Sequence, residues 1–139
     1  MIRAAAESAA SPAALWSVVA DLDRWADHLP TVTAIRHVGG QEPAGVGSRY
    51  RVRQPGLPPT TYEITHWEPG TGFTWVARSP GLVSTARHRV EPRGAGSVLE
   101  LAFGWSGPMG GVVRRLFAGK GRAYVEREAD TFARLAERR

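Results

Sequence analysis

Three side chains in this 139-residue chain could move a proton to or from a bound molecule: Glu128, His66 and His88. Acid–base catalysis needs a carboxyl or imidazole within hydrogen-bond reach of the reacting group. On a helical wheel Glu128 falls near the middle of an apolar stripe. A carboxylate there either has its pKa raised by desolvation or takes a cationic partner, such as an arginine from a facing sheet. The plainer alternative is that the helix end projects past its cover, leaving Glu128 in water or in a rim salt bridge. His66 alternates with Tyr62 and Ile64, and His88 with Ala86 and Val90, so strand periodicity turns each inward. For either histidine the competing account is a surface or structurally hydrogen-bonded ring. Lys120, at the edge of the helical stripe, stands about 12 Å from Glu128 along the axis and is too far away to pair with it. Its long stem can reach solvent.

Other chemistries are excluded or unsupported. The chain has no cysteine, which removes disulfides, thiolate metal sites and cysteine nucleophiles. The four histidines, His28, His37, His66 and His88, show no helical metal-site spacing and no HExxH pattern, so neither a metal nor another cofactor is expected. Gly104-Trp105-Ser106-Gly107 superficially suggests a nucleophile elbow. Its second glycine comes one position early, and that elbow belongs in a parallel α/β sheet. Gly119-Lys120-Gly121 is not a phosphate-binding loop, because position 114 is Arg and no Ser or Thr follows the lysine.

These candidates must be positioned by one long helix and a series of strands. From Gly107 to Arg139 the side chains Val113, Leu116, Phe117, Tyr124, Phe132 and Leu135 are expected on one side of a helix roughly 40 Å long. Arg115, Arg122, Glu126, Asp130 and Glu137 take the other. Such a helix needs a cover for its apolar face. Gly119 and Gly121 weaken its middle, where a bend would change the shape of a cavity beside it. Upstream, residues 2–9 read as a weak first strand. Ser11 and Pro12 then cap a short helix bearing Leu15, Val18 and Val19, which ends near Ala20. A second short helix over 21–25 is stopped by Pro30. Six strands follow: 31–38, 49–53, 61–67, 73–79, 83–91 and 98–105, separated by Gly- and Pro-rich turns. Arg49, Arg51 and Arg53 alternate with Tyr50 and Val52, so the arginines share one face. Short connections between consecutive strands favour an antiparallel sheet. Residues 1–139 contain no linker or repeat and read as a single domain.

Charge adds little. The net charge is +5, and residues 107–139 hold eight basic and four acidic side chains. Seventeen of the eighteen basic residues are arginine, in a chain also rich in Ala and Gly, which follows base composition as readily as phosphate contacts. No nucleic-acid motif accompanies them, so nucleic acid is not an expected partner. The opening residues lack a signal-peptide apolar run, and no stretch reaches the ~18 apolar residues of a spanning helix. A cytoplasmic protein is expected; a homodimer is left open.

The motifs then carry a resemblance. Ser11-Pro12-Ala13-Ala14-Leu15-Trp16, Leu22-Asp23-Arg24-Trp25 and Leu29-Pro30 resemble the opening of the polyketide cyclase/dehydrase family of the START-like (SRPBCC, Bet v 1-like) superfamily. Gly45-Val46-Gly47-Ser48, Trp67-Glu68-Pro69-Gly70, Val90-Glu91-Pro92 and Trp105-Ser106-Gly107-Pro108 fit the turns. The resemblance implies an α+β helix-grip fold: a curved seven-stranded antiparallel sheet around a long C-terminal helix, with two short helices after the first strand. It further implies a hydrophobic cavity between sheet and helix, in which relatives hold lipids, sterols, quinones, polyketides or hormones. His28 stands where relatives often carry an aromatic residue, which would alter the pocket entrance. No catalytic signature transfers from the family.

With such a cavity, the inward aromatics Tyr50, Tyr62, Trp75, Phe103, Trp105, Phe117 and Tyr124 become candidate ligand contacts. Three readings follow. The first is a binding protein for a small hydrophobic or aromatic ligand, polyketide-, lipid- or quinone-like. The second adds cyclisation or dehydration chemistry by Glu128, His66 or His88. The third is a macromolecular interaction module that uses the basic outer face of the last helix, with Arg115 and Arg122.

Overall fold

In the computed structural model, which describes residues 1–40 and 43–138, the chain begins with strand β1 (Ile2–Ser8) and ends with helix α3 (Gly110–Glu137). Between them come α1 (Pro12–Val19), a 3-10 turn (Leu22–Arg24), α2 (Trp25–His28), β2 (Ala34–Val38), β3 (Arg49–Arg53), β4 (Thr60–Glu68), β5 (Gly72–Ser79), β6 (Leu82–Arg93) and β7 (Gly96–Ser106). All seven strands join one sheet in the order β1-β7-β6-β5-β4-β3-β2, and every pairing is antiparallel. The expected fold is therefore present: a seven-stranded antiparallel sheet gripping one long helix, with the short helices after the first strand.

Local chemistry explains the boundaries. Ser11 Oγ accepts the Ala14 N–H at 3.1 Å, and Pro12 occupies the first turn of α1, where its missing N–H costs nothing. Gly107 takes φ 91° at the break before α3. A Cβ there would come within 2.7 Å of the Gly81 carbonyl oxygen, so both the turn and the close approach require glycine. Residues 41 and 42, and Arg139, to which the sequence reading extends the last helix, lie outside the described residues.

One face of the sheet is apolar. Leu99, Leu101 and Phe103 on β7 stand opposite Val90, His88 and Ala86 on β6, and the same row continues through Phe73 and Trp75 on β5. Trp25, delivered by α2, fills one end of the groove: its ring centroid lies 5.2 Å from Trp75 and 5.3 Å from Phe132 of α3. Its indole N–H donates to the Val19 carbonyl at 3.0 Å, so its one polar atom is satisfied. Helix α3 buries Val125, Ala129, Phe132, Ala133 and Ala136 against this layer.

Several expectations change. Strand β2 starts at Ala34 rather than Thr31, because Thr31 is buried and bonded elsewhere. Helix α3 runs through the two glycines that weaken its middle, Gly119 and Gly121, without a break, so that part of the reading stands. Leu116 lies outside, 69% exposed, not on the covered face. It is sixteen residues from Phe132, about 160° around the helix, so the two cannot share one side. His66 is turned outward too. Strand β4 carries a β-bulge between Ile64 and His66: Ile64 pairs with Trp75, His66 with Thr74 and Trp67 with Phe73. The extra residue shifts the alternation by one, so Trp67 faces inward and His66 faces solvent.

Candidate functional site

A cavity of about 310 Å³ lies between the sheet and α3, at the small end of the range usual for small-molecule sites. Tyr62, Trp75, Phe103, Trp105, Phe117 and Tyr124 all line it, as do His88 and Glu128. Tyr50 does not. It is buried alongside, stacked on His37 at 4.5 Å and 6.1 Å from Trp75. Burial, and secondarily the charge of Asp23, push its phenol up to about 12. His66 is also absent from the wall; its Nε2 lies 3.6 Å from Glu68 Oε2, with the side chain 63% exposed. His28 is partly buried with its Nε2 unpartnered by protein, but it does not line the cavity.

Glu128 is the polar centre of the wall. Its residue is 9% exposed, and it takes part in no ion pair among the described residues. Instead the Thr31 hydroxyl donates to Oε1 at 2.8 Å. Burial raises its pKa to about 7, and the Thr31 hydrogen bond works against that rise. Burial and the nearby Glu128 carboxylate together hold the Tyr62 phenol far above its ordinary value. The environment thus chooses desolvation over an arginine partner.

His88 is held in the opposite sense. Its ring stacks on Phe73 at 4.1 Å and 7° and meets Trp25 at 5.6 Å. Burial lowers its pKa to about 4, against a raising backbone hydrogen bond with Phe73, so the imidazole is neutral near pH 7. Its Nδ1 is buried without a protein partner.

A strap closes one side of the mouth. The β3–β4 connection places Gln54, Leu57 and Pro58 on the cavity wall. Two α3 side chains fasten it: Lys120 Nζ donates to the Gly56 carbonyl at 3.3 Å, and the Tyr124 hydroxyl donates to the Pro55 carbonyl. Thr31, Trp25, Lys120 and the strap were missed as site elements by sequence reasoning. Helical spacing had marked Lys120, but partners so far away in sequence leave no local signal. No group of three potential metal-ligating His, Cys, Asp or Glu residues exists among the described residues.

A helix-grip sheet with an apolar chamber against its long helix is the architecture of the Bet v 1-like ligand-binding proteins. The chain belongs to the family described as polyketide cyclase / dehydrase and lipid transport, whose model matches residues 1–137. Among solved structures it is similar to the hypothetical protein jhp0584 from Helicobacter pylori (TM-score 0.81, 10% identity, 96% of this chain and 86% of that one). It is also similar to norcoclaurine synthase from Thalictrum flavum, solved with dopamine and hydroxybenzaldehyde (TM-score 0.73, 18% identity, 96% and 84%). A third is the di-domain ARO/CYC BexL from the BE-7585A biosynthetic pathway (TM-score 0.67, 15% identity, 93% and 46%). At these identities the likeness establishes the fold alone. No curated protein sequence matches the chain.

Proposed function

We propose that the protein binds a small aromatic or polyketide-like molecule in this cavity and orients an oxygen of that molecule at Glu128. The supporting observation is the combination of an aromatic wall with one desolvated carboxyl whose pKa is about 7. At neutral pH such a group is present in both protonation states. It donates a hydrogen bond to a carbonyl in one and accepts from a hydroxyl in the other. An acid–base reaction at a bound ketide carbonyl fits the same geometry, with Glu128 as the proton-transfer group and neutral His88 as a hydrogen-bond partner. His66, on the other face of the sheet, has no part in it.

Ligand binding is tested by thermal unfolding across a panel of aromatic polyketides, quinones, fatty acids and sterols. A saturable rise in Tm is expected with at least one class. Ala86→Phe, which adds a ring opposite Trp75 and Phe103 inside the cavity, should abolish that rise while leaving a folded protein. No saturable shift from any class would sink the reading. Should a ketide be turned over, Glu128→Gln should lower the rate by roughly 10²–10⁴-fold while leaving ligand binding measurable. An unchanged rate would remove Glu128 from the chemistry but leave binding intact.

A further inference from the structure

The first half of α3 presents outward what helices usually cover. Val112 and Leu116 are 52 and 69% exposed, and Met109, just before the helix, is 46% exposed. Along the helix Val112, Leu116, Gly119 and Ala123 form one outward stripe, and all four are exposed. Arg115 and Arg122 fall on one flank of it, Lys120 and Arg127 on the other, and these four are exposed as well. Two neighbouring segments sit at the same end of the molecule. The strap is tied to Lys120 and Tyr124, and the β5–β6 turn accepts the Met109 N–H on its Gly81 carbonyl at 2.8 Å. They bring exposed Arg53 and Arg78. Residues 53–60, 78–85 and 101–125 contain no Asp or Glu, and the first acidic side chain of α3 is the exposed Glu126 beside Arg127. Acidic side chains collect at the far end, where Glu7 and Glu91 both stand opposite Val98 and Glu137 accepts the Ala9 N–H.

We propose that this cationic, apolar end docks on an anionic lipid bilayer. A second copy meeting this end about a two-fold axis is a poor occupant, since it would bring the same positive charge to the contact. A bilayer matches each component. Aliphatic side chains along the centre of a helix enter the acyl boundary, while long Arg and Lys stems on both flanks reach back to the headgroups. Each cation near an anionic surface strengthens partitioning by roughly fivefold. Docked this way, the strap held by Lys120 borders the contact, while Phe117, about 140° around the helix from Val112, stays turned to the cavity.

The test is co-sedimentation of the full chain with vesicles of phosphatidylcholine alone or mixed with phosphatidylglycerol. Binding is expected to the mixed vesicles, weakening with salt, and not to phosphatidylcholine alone. Val112→Asp combined with Leu116→Asp, both at exposed positions, should leave Tm unchanged and lower the partition coefficient at least tenfold. Arg115→Ala or Arg122→Ala should each lower it roughly fivefold, the equivalent of about 1 kcal/mol. Ala86→Phe, which fills the cavity, should leave vesicle binding unchanged, so this proposal and the ligand reading fail separately. The proposal is overturned by an absence of binding to the mixed vesicles, or by binding indifferent to the double substitution. It is also overturned by a dimer that the same substitution dissociates, or by equally Leu116-dependent binding to poly-glutamate, which would assign the patch to another chain.

Discussion

A carboxyl group shut between a helix and a sheet must be neutral or paired, and Glu128 and His88 illustrate how burial alone sets charge. Glu128 has a pKa of about 7 when folded against 4.5 when exposed. The folded chain therefore keeps a proton that the unfolded chain has released. Its contribution to stability is full below pH 4.5 and is lost as pH rises through about 7, a change of about 3 kcal/mol. His88 moves the other way, from 6.5 to about 4. The unfolded chain takes up the proton first, so this contribution is full above pH 6.5 and is lost as pH falls through about 4. Between pH 4.5 and 6.5 the two slopes oppose one another, and a flat stability profile is expected. Glu128→Gln should turn that plateau into a rise with pH and abolish the decline toward pH 7. Denaturant midpoints measured from about pH 4 to about pH 8 would show it. A variant with the same profile as the parent would mean that Glu128 is ionised in the folded protein.

Among the elements, α3 shows how two glycines in one helix can serve different ends. A Cβ on Gly119 would meet nothing within 4 Å, whereas on Gly121 it would press on Ile2 Cδ1 and the Trp105 ring, each at 3.3 Å. Gly119→Ala is expected to stabilise the protein by about 1 kcal/mol. Gly121→Ala should gain less or lose, because Trp105 must shift, and Trp105 is part of the cavity wall. Equal gains in Tm would show that the helix can slide away from β1 and β7. What was readable in the sequence tracks this distinction between local and distant causes. Gly70, Gly81, Gly94 and Gly107, all at positive φ, mark turns that local pattern alone discloses. The inward register of Trp75, Phe103 and Trp105 followed from strict alternation. His66 defied it because a bulge has no residue signature here. Leu116 lies outside because its place on the wheel, about 160° from Phe132, is off the covered stripe. Thr31 could not have been found, since its partner Glu128 lies 97 residues away.

For the whole molecule, the two chain ends complete each other. Strand β1 pairs along β7 from Ile2↔Phe103 to Ser8↔Ser97, and α3 lies across both. Ser8 Oγ donates to the Ala133 carbonyl at 3.0 Å, Glu137 accepts the Ala9 N–H at 2.8 Å, and the Arg134 guanidinium donates to the Glu7 carbonyl. Removing residues 1–9 would expose the edge of β7 and uncover Ala133 and Ala136, which are 0 and 1% exposed. Such a truncated chain is expected to lose the cooperative calorimetric transition altogether. A sharp transition at a lower temperature would instead show that β7 alone can hold the helix. The element order could be read because turns and caps are local. The mutual dependence of the ends could not, because it joins the first strand to the last helix.

The bulge in β4 also bears on how this chain is matched to others. A relative whose fourth strand is regular has one residue fewer between the positions of Ile64 and Trp67. A gapless comparison across that stretch would set His66 against an inward wall residue and Trp67 against a solvent-facing one. The gap belongs at Thr65 or His66, and only with it in place do the lining positions of two such pockets correspond.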